Sequence, residues 1–454
     1  MSYEHHIKNL RGADSESARL AYQFYLGNQL PYIEKCLNDA VCGVKNWKTR
    51  KYQIIWENLT QMIIDRSAQT YKQQPERQVL TDGGELNENA TAIYLDLIKK
   101  GGFRSTSKDA DSISRLLKTS LVLVQYSPDT KKLYFNVLSQ DNCDVRFDPL
   151  TKKIISLLYT ANAVADNGDR LYHYWTPEYV MDISFSAETQ VIQAQGSKTS
   201  NPYGIVPVAT LHDLTPPRFG FWSDPVWEQL TAFNMAVNYY HMDTKFNHTW
   251  AAFGTLFTNS KIKDGSIIGA DTVVEVENPQ GDESIFVDFK VPSVSANIDA
   301  YQGWLENLRD KIGEQWGVTI KAAGEGSADS GFKLIVEELP NLELREDRTA
   351  SAEIFETDLY RVISKFSDVH KLGLPLSTSG HVLKATFPAP KLPVNKKEEW
   401  EIDQAKIVGG LMSREDYWKK DNPGITPEEI AEKIKKIESE KRGAAPLFAN
   451  LEGT

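Results

Sequence analysis

The 454-residue sequence predicts an α+β chain, and three observations predict it. Apolar residues recur three and four positions apart through the first 120 residues, the period changes to two from there to about residue 222, and helical spacing returns afterwards. Composition is that of an ordinary globular protein, with 41% hydrophobic, 10% aromatic and 25% charged residues. A chain of this length exceeds one simple core, so two or more domains, or one elongated multi-part subunit, are expected.

Helices come first, in SESARLAYQFYLG, KYQIIWENLTQMIIDRSAQTY and ENATAIYLDLIKKG. Strands follow in LVLVQY, KLYFNVL, IISLLYT, LYHYW and YVMDIS, which are short, rich in β-branched and aromatic residues, and separated by turn signals such as SPDT and DPLTKK. They make a strand-rich lobe. From Ser223 to Trp250 a helix opens on Ser-Asp-Pro and carries Val226, Leu230, Phe233, Val237 and Tyr240 in alternating steps of four and three. Asn234, Asn238, His241, Lys245 and His248 fall largely off that stripe. A second helix, Ser293 to Gly317, repeats the near-heptad pattern with Ile298, Tyr301, Leu305, Leu308 and Ile312.

Between these two helices lies an insert, residues 251–292, whose VVEVENPQGDESIFVDF reads as a β-hairpin. It mixes Lys261, Lys263 and Lys290 with Glu275, Glu277, Asp282 and Glu283. Next, GEGSADSG passes into a helical pattern (Phe332, Ile335, Val336, Leu339) that meets Pro340. Proline removes an i→i−4 bond and crowds the preceding turn, so a bend is expected there, with the helix resuming through Ile354, Phe355, Leu359, Val362 and Phe366. A Pro-rich strand segment, ATFPAPKLP, follows. The C-terminal part reads helical, with Thr426, Pro427 and Glu429 forming a capping box, and residues 444–454 read as a frayed tail.

The chemistry is mostly exclusion. Sixty-two acidic against 51 basic residues leave a net charge of −11, which speaks against a surface that grips nucleic acid by neutralising phosphates. Cys36, Cys42 and Cys143 are too few and too scattered for a disulfide framework or a thiolate metal site, so a reducing compartment is expected. MSYEHHIKNLRGADSESARL lacks a signal-like apolar core and no apolar run reaches membrane length, so neither secretion nor a membrane span is expected.

There is no G-x-x-x-x-G-K-[ST] loop, no H-E-x-x-H pair and no G-x-S-x-G elbow. His241 and His248 stand two turns apart, whereas zinc favours i, i+4 pairs, and are read as a polar helix face. Glu337, Glu338, Glu343, Glu346, Asp347, Glu353 and Glu356, interleaved with Arg345 and Arg348, read as a solvated or inter-subunit ion-pair face. No catalytic residue, metal or cofactor is assigned. An intracellular enzyme would place its site in the strand-rich lobe, around Asp141 to Asp148 and His173; a stand-alone nucleic-acid-binding module is a further alternative.

The order of these parts resembles the portal (head-to-tail connector) proteins of tailed bacteriophages across nearly the whole chain. The stretches that carry the resemblance are NPYGIVPVATLH from Asn201, FWSDPVWEQLTAFNMAVNYY from Phe221, the short β insert, SGFKLIVEELPNLELREDR from Ser330 and GLMSREDYWKKDNPGITPEEIAEKI from Gly410. The resemblance implies a non-enzymatic dodecameric ring at one vertex of the phage head, assembled in the host cytoplasm and retained in the virion. Through it the terminase drives double-stranded DNA.

Residues 1–222 would form a wing, 223–250 and 293–317 a two-helix stem, 251–292 a clip, 318–395 a tunnel loop, kinked helix and wing return, and 396–443 a crown, ahead of a flexible tail at 444–454. The clip, with Lys261, Lys263, Glu275, Glu277, Asp282 and Glu283, would dock terminase and later the head-completion or tail adaptor proteins; major capsid and scaffold proteins would meet the wing. Gly324, Gly326, Ser327 and Ser330 would let the tunnel loop rearrange, Lys321 and Lys333 would touch DNA phosphates weakly, and Pro340 would kink the helix so that the loop points to the channel axis. The apolar stripes of both stem helices are expected to need neighbouring copies, and an acidic subunit repeated around a ring would repel phosphate and let DNA slide.

Overall fold

A computed structural model of the chain describes residues 3–40, 54–164, 170–214 except 187 and 190, 220–253, 257–258, 289–290, 298–318 and 331–388, with isolated positions 403–404, 406–407, 413, 417 and 433. The chain divides into two compact units, Met1–Ala323 with Glu338–Ala389, and Gly324–Glu337 with Pro390–Thr454. Helix and sheet are mixed, as the change of period predicts.

The N-terminal helices are α1 (Tyr3–Leu10), α2 (Ala13–Tyr25), α3 (Leu30–Ala40), α4 (Leu59–Ser67), α5 (Glu88–Lys100) and α6 (Phe103–Leu117), with strand β1 (Glu76–Leu80) ahead of α5. In the stretch predicted as one helix over KYQIIWENLTQMIIDRSAQTY, the described residues 54–58 are not helical and a helix begins at Leu59, because Asn58 caps it by accepting a bond from the Gln61 N–H. Asn87 starts α5 in the same way, accepting from Ala90 N–H.

The strand-rich lobe holds β2 (Thr119–Ser127), β3 (Lys132–Leu138), β4 (Cys143–Phe147), β5 (Ile154–Val164), β6 (Arg170–Trp175), β7 (Tyr179–Phe185), β8 (Ile192–Ser200) and β9 (Val208–His212). They form two antiparallel sheets, one in the order β3-β2-β9 and one a meander β4-β5-β6-β7-β8. The central strand β2 reads as an unbroken apolar run because both its faces are buried. Val122 and Val124 enter the core formed with Tyr94, Phe103 and Phe355, whereas Leu121 and Leu123 enter a second core with Leu157 and Val208. Helix α1 covers the meander, setting Ile7 and Leu10 against Leu158, Tyr172 and Ile183.

Two long helices follow, α7 (Trp227–Phe253) and α8 (Ile298–Gln315). The insert between them leaves and returns through β10 (Phe257–Thr258) and β11 (Phe289–Lys290), which pair antiparallel. The last long element, α9, runs from Gly331 to His370, and β12 (Val382–Thr386) then pairs antiparallel with β1. Helix α9 is not interrupted at Pro340: residues on both sides of the proline are helical.

On α9, Glu343, Glu346, Asp347 and Glu353 are exposed as their spacing suggests, whereas Glu356, Arg345 and Arg348 are not on a solvated face. Glu356 is fully buried, accepts two bonds from the Arg77 guanidinium at 2.7 and 2.9 Å, and accepts a third from the Tyr71 hydroxyl at 3.0 Å. Arg345 and Arg348 are buried as well, donating to the carbonyls of Gln69 and Ser67. Charge on a helix shows only that a partner is needed. Here the partners come from the N-terminal helices and β1, more than 270 residues away in sequence.

Candidate functional site

The residues with the strongest sequence claim to a function are the helix pair, its insert and the loop that precedes α9. Helices α7 and α8 are antiparallel neighbours: Gln229 meets Gln315 at 2.6 Å, the Tyr240 ring packs tilted against Trp304 with centroids 4.2 Å apart, and His241 meets Arg309 at 2.9 Å. The paired ends of the insert, Phe257–Thr258 against Phe289–Lys290, close off the far end of this hairpin of helices.

Four residues of the apolar stripes are covered by the same chain. Leu230 is buried with Ile63, Ile64 and Ile312, and Val237 is buried with Leu59 and Leu305, all in the same chain. The expectation that these faces pack against neighbouring subunits is therefore corrected for Leu230, Val237, Leu305 and Ile312: α2 and α4 already cover them.

Asn234 and Asn238, which fall off the apolar stripe, nonetheless lie fully buried. The Asn234 side chain accepts from the Thr60 N–H at 3.0 Å and hydroxyl at 2.9 Å and donates to the Glu57 carbonyl at 2.9 Å. Asn238 accepts from the Glu57 N–H at 2.8 Å and donates to Gln29 at 3.0 Å. A short run of backbone before α4, with no helical bonds of its own, thus takes its partners from α7; buried amides without such partners would each cost about 1–3 kcal/mol.

His241 joins a partly exposed cluster with Glu57 and Arg309 around a cleft also lined by Thr244, Lys245 and Glu306. The His241 contact, with Arg309 beyond it, holds the Glu57 carboxyl below its ordinary range despite partial burial. Sequence reasoning saw His241 and missed its partners, because Glu57 and Arg309 come from other elements.

The other predicted site residues fall as follows. Lys261, Lys263, Glu275, Glu277, Asp282 and Glu283 of the insert, and Lys321, Gly324, Gly326, Ser327 and Ser330 of the loop, lie outside the described residues. Lys333 lies in the first turn of α9, and Pro340 ten residues into it. Among the described residues no group of three or more His, Cys, Asp or Glu side chains is placed to hold a metal ion, and no helix is long and apolar enough to cross a membrane.

A charged node missed by sequence reasoning sits at the foot of the helix pair. Asp213, at the end of β9, lies 3.0 Å from Arg115, 2.8 Å from Lys118 and 2.9 Å from Arg348, all with little exposure. Arg115 also donates to the Trp316 carbonyl at 2.8 Å, and both Arg115 and Lys118 lie over the Trp316 ring. The node therefore ties the residue just past α8 to α6, β9 and α9. Burial alone would raise the Asp213 carboxyl, but the three cations outweigh it and hold the group below its ordinary value. Asp111 beside them behaves oppositely: burial lifts it to about 6, although it accepts the Tyr71 N–H at 2.9 Å.

The enzyme alternative named Asp141 to Asp148 and His173. Asp144 pairs with Leu158, and Leu158 with Tyr174, across β4, β5 and β6, whereas His173 sits in the adjacent row with Cys143 and Tyr159. Adjacent rows point to opposite faces, so Asp144 and His173 cannot share a site. His173 instead pairs with Asp182 at 2.6 Å. Asp144 meets His6 Nδ1 at 2.6 Å, and His6 Nε2 meets the Ser156 hydroxyl at 3.0 Å. The order matches a nucleophile relay, but all three side chains are buried between α1 and the sheet, which leaves a substrate carbonyl no approach. The contact anchors α1.

No protein-family model matches the chain, and no curated protein matches it. Among solved structures it is similar to a chain of the virion of a native gene transfer agent particle, at 12% identity and TM-score 0.40, covering 85% of this chain and 95% of that one. It is also similar to a chain in the neck of an empty gene transfer agent particle computed with C6 symmetry, at 11% identity and TM-score 0.42, covering 83% and 93%. Values of this size leave function to be read from the chain's own residues.

Proposed function

We propose that the chain is a portal-type subunit whose copies close head to tail into a dodecameric ring around a channel for double-stranded DNA. The observation that carries the reading is the antiparallel pair α7 and α8, joined through an insert whose ends zip together and followed by a Gly/Ser/Asp loop leading into the 40-residue α9. In this reading the helix pair is the stem and the insert is the clip, where Lys261, Lys263, Glu275, Glu277, Asp282 and Glu283 meet terminase and then the tail adaptor. The loop with Gly324, Gly326, Ser327 and Ser330 borders the channel, Lys321 and Lys333 brush the DNA backbone, and a bend at Pro340 aims the loop inward.

Charge supports a conduit over a clamp. At −11 per chain, a closed ring carries on the order of a hundred negative charges, which repel phosphate and keep DNA mobile. The ring stands at a capsid vertex of the virion, flanked by scaffold and major capsid proteins during assembly in the host cytoplasm. It performs no chemistry and requires no cofactor.

Native mass measurement and negative-stain microscopy of the purified 51.2 kDa chain test the reading. Closed rings near twelve copies with a stained central hole are expected. A protein that stays monomeric or dimeric across the concentrations tested overturns it.

A further inference from the structure

The first compact unit carries two exposed apolar surfaces on different elements. One is a groove of about 630 Å³ between the turn from β4 to β5, the residues leading into β9, and the middle of α9. Ile354 lines it while 65% exposed, with Ile155 beside it also exposed and Val206 and Phe221 deeper in the wall. Lys152, Lys153 and Arg361 border the groove; its one carboxylate, Asp358, is already bonded to Arg361 at 3.3 Å. His212 at the groove is driven by burial to about 4 and is therefore uncharged at neutral pH, which keeps that wall apolar.

The other surface lies at the turn between α2 and α3 and the run before α4. Ile55 is 58% exposed, and Leu26, Leu30 and Trp56 are exposed around it. The run before α4 lies against the turn between α2 and α3. Asn58 donates to the Tyr25 carbonyl at 3.2 Å, and the Trp56 ring edge passes over Gly27, 3.7 Å from where a Cβ would stand. Carboxylates flank the patch: Glu34 on α3, and Asp65, which accepts from the Tyr25 hydroxyl at 3.0 Å.

We propose that the groove of one copy receives the Ile55/Trp56 patch of a second copy of this chain. The proposal rests on the ring reading above and names which two faces meet. A closed head-to-tail assembly buries two different patches per chain, each once, and leaves neither exposed. Among the described residues, the chain presents a concave apolar surface edged by Lys153 and Arg361, and an exposed apolar surface near the carboxylates of Glu34, one turn beyond Leu30 in α3, and Asp65. Apolar area removed from water supplies the attraction, and the opposed charges set orientation and exclude groove-to-groove pairing.

The test uses two full-length variants, Ile354→Asp in the groove and Trp56→Asp in the patch, measured by native mass and light scattering after chromatography. Wild type is expected as rings and each variant alone as monomer. The equimolar mixture is expected as a one-to-one heterodimer of two 51.2 kDa chains, because one partner keeps an intact groove and the other an intact patch. Rings formed by wild type and undiminished in both variants overturn this pairing and leave the ring reading standing; a monomeric wild type overturns both. Variants that dissociate yet fail to form the heterodimer also overturn the pairing. Should either variant melt early, a benzoylphenylalanine crosslinker at position 354 in assembled wild-type chains replaces it. Adducts within residues 25–58 of a neighbour support the pairing, and adducts elsewhere refute it.

Discussion

Asp111 offers the sharpest test of how the buried node is balanced. Its carboxyl moves from 3.8 in the unfolded chain to about 6 in the fold, chiefly through burial. At 1.36 kcal/mol per tenfold change in proton affinity, that displacement amounts to about 3 kcal/mol. Between pH 4 and pH 6 the native state holds a proton that the unfolded state has released, so stability falls as pH rises through that window and the full cost stands above it. Asp213 has the opposite sign: its lowered carboxyl contributes stability above the unfolded value, and that contribution is lost only as pH falls below about 4.

Replacing Asp111 by Asn keeps an acceptor for the Tyr71 N–H while removing the ionisation. Urea unfolding at pH 4.5 and pH 7.5, followed by tryptophan emission, reads the difference; Trp316 lies against the node under Arg115. We expect Asp111→Asn to exceed wild type by about 1 kcal/mol at pH 4.5 and by about 3 kcal/mol at pH 7.5, and to lose the slope between pH 4 and pH 6. Parallel stability curves, or a variant less stable at pH 7.5, would show that the Arg348 and Arg115 charges need the Asp111 anion more than burial penalises it.

Two further substitutions probe the core. Arg77→Ala leaves Glu356 charged and fully buried, at an expected cost of about 3–5 kcal/mol in chemical denaturation, whereas Arg77→Met with Glu356→Leu should recover most of that loss; a double variant as weak as the single one would mean that the charge itself is not what is costly. Gly101→Ala places a methyl onto the Phe135 ring and 2.7 Å from the Leu133 carbonyl, so a loss of about 1–3 kcal/mol is expected, and an unchanged thermal midpoint would show that the turn after α5 gives way freely.

The sequence by itself determined the alternation of helix and sheet, because side-chain period is a local property. The spacing of KLYFNVL announces β3 residue for residue, and the four-and-three stripe of Leu230, Phe233 and Val237 announces α7. It also announced that an insert separates two paired helices, since both flanks carry the same pattern. One element escaped that reading for a local reason. Within KYQIIWENLTQM the described residues 54–58 are not helical and the helix begins at Leu59, where an asparagine cap outcompetes them.

Only the tertiary structure decided where each stripe and each charge is spent. Leu230 and Val237 look the same in sequence whether another chain or α4 covers them, and Arg348 and Glu356 look the same on a wet face as in a buried pair. Which occurs depends on contacts between residues far apart in sequence, such as Arg77 with Glu356, 279 positions away, and Asn234 with Thr60, 174 positions away. The physical reason is that periodicity states which side of an element must leave water, whereas the identity of what replaces the water is set by the path of the whole chain.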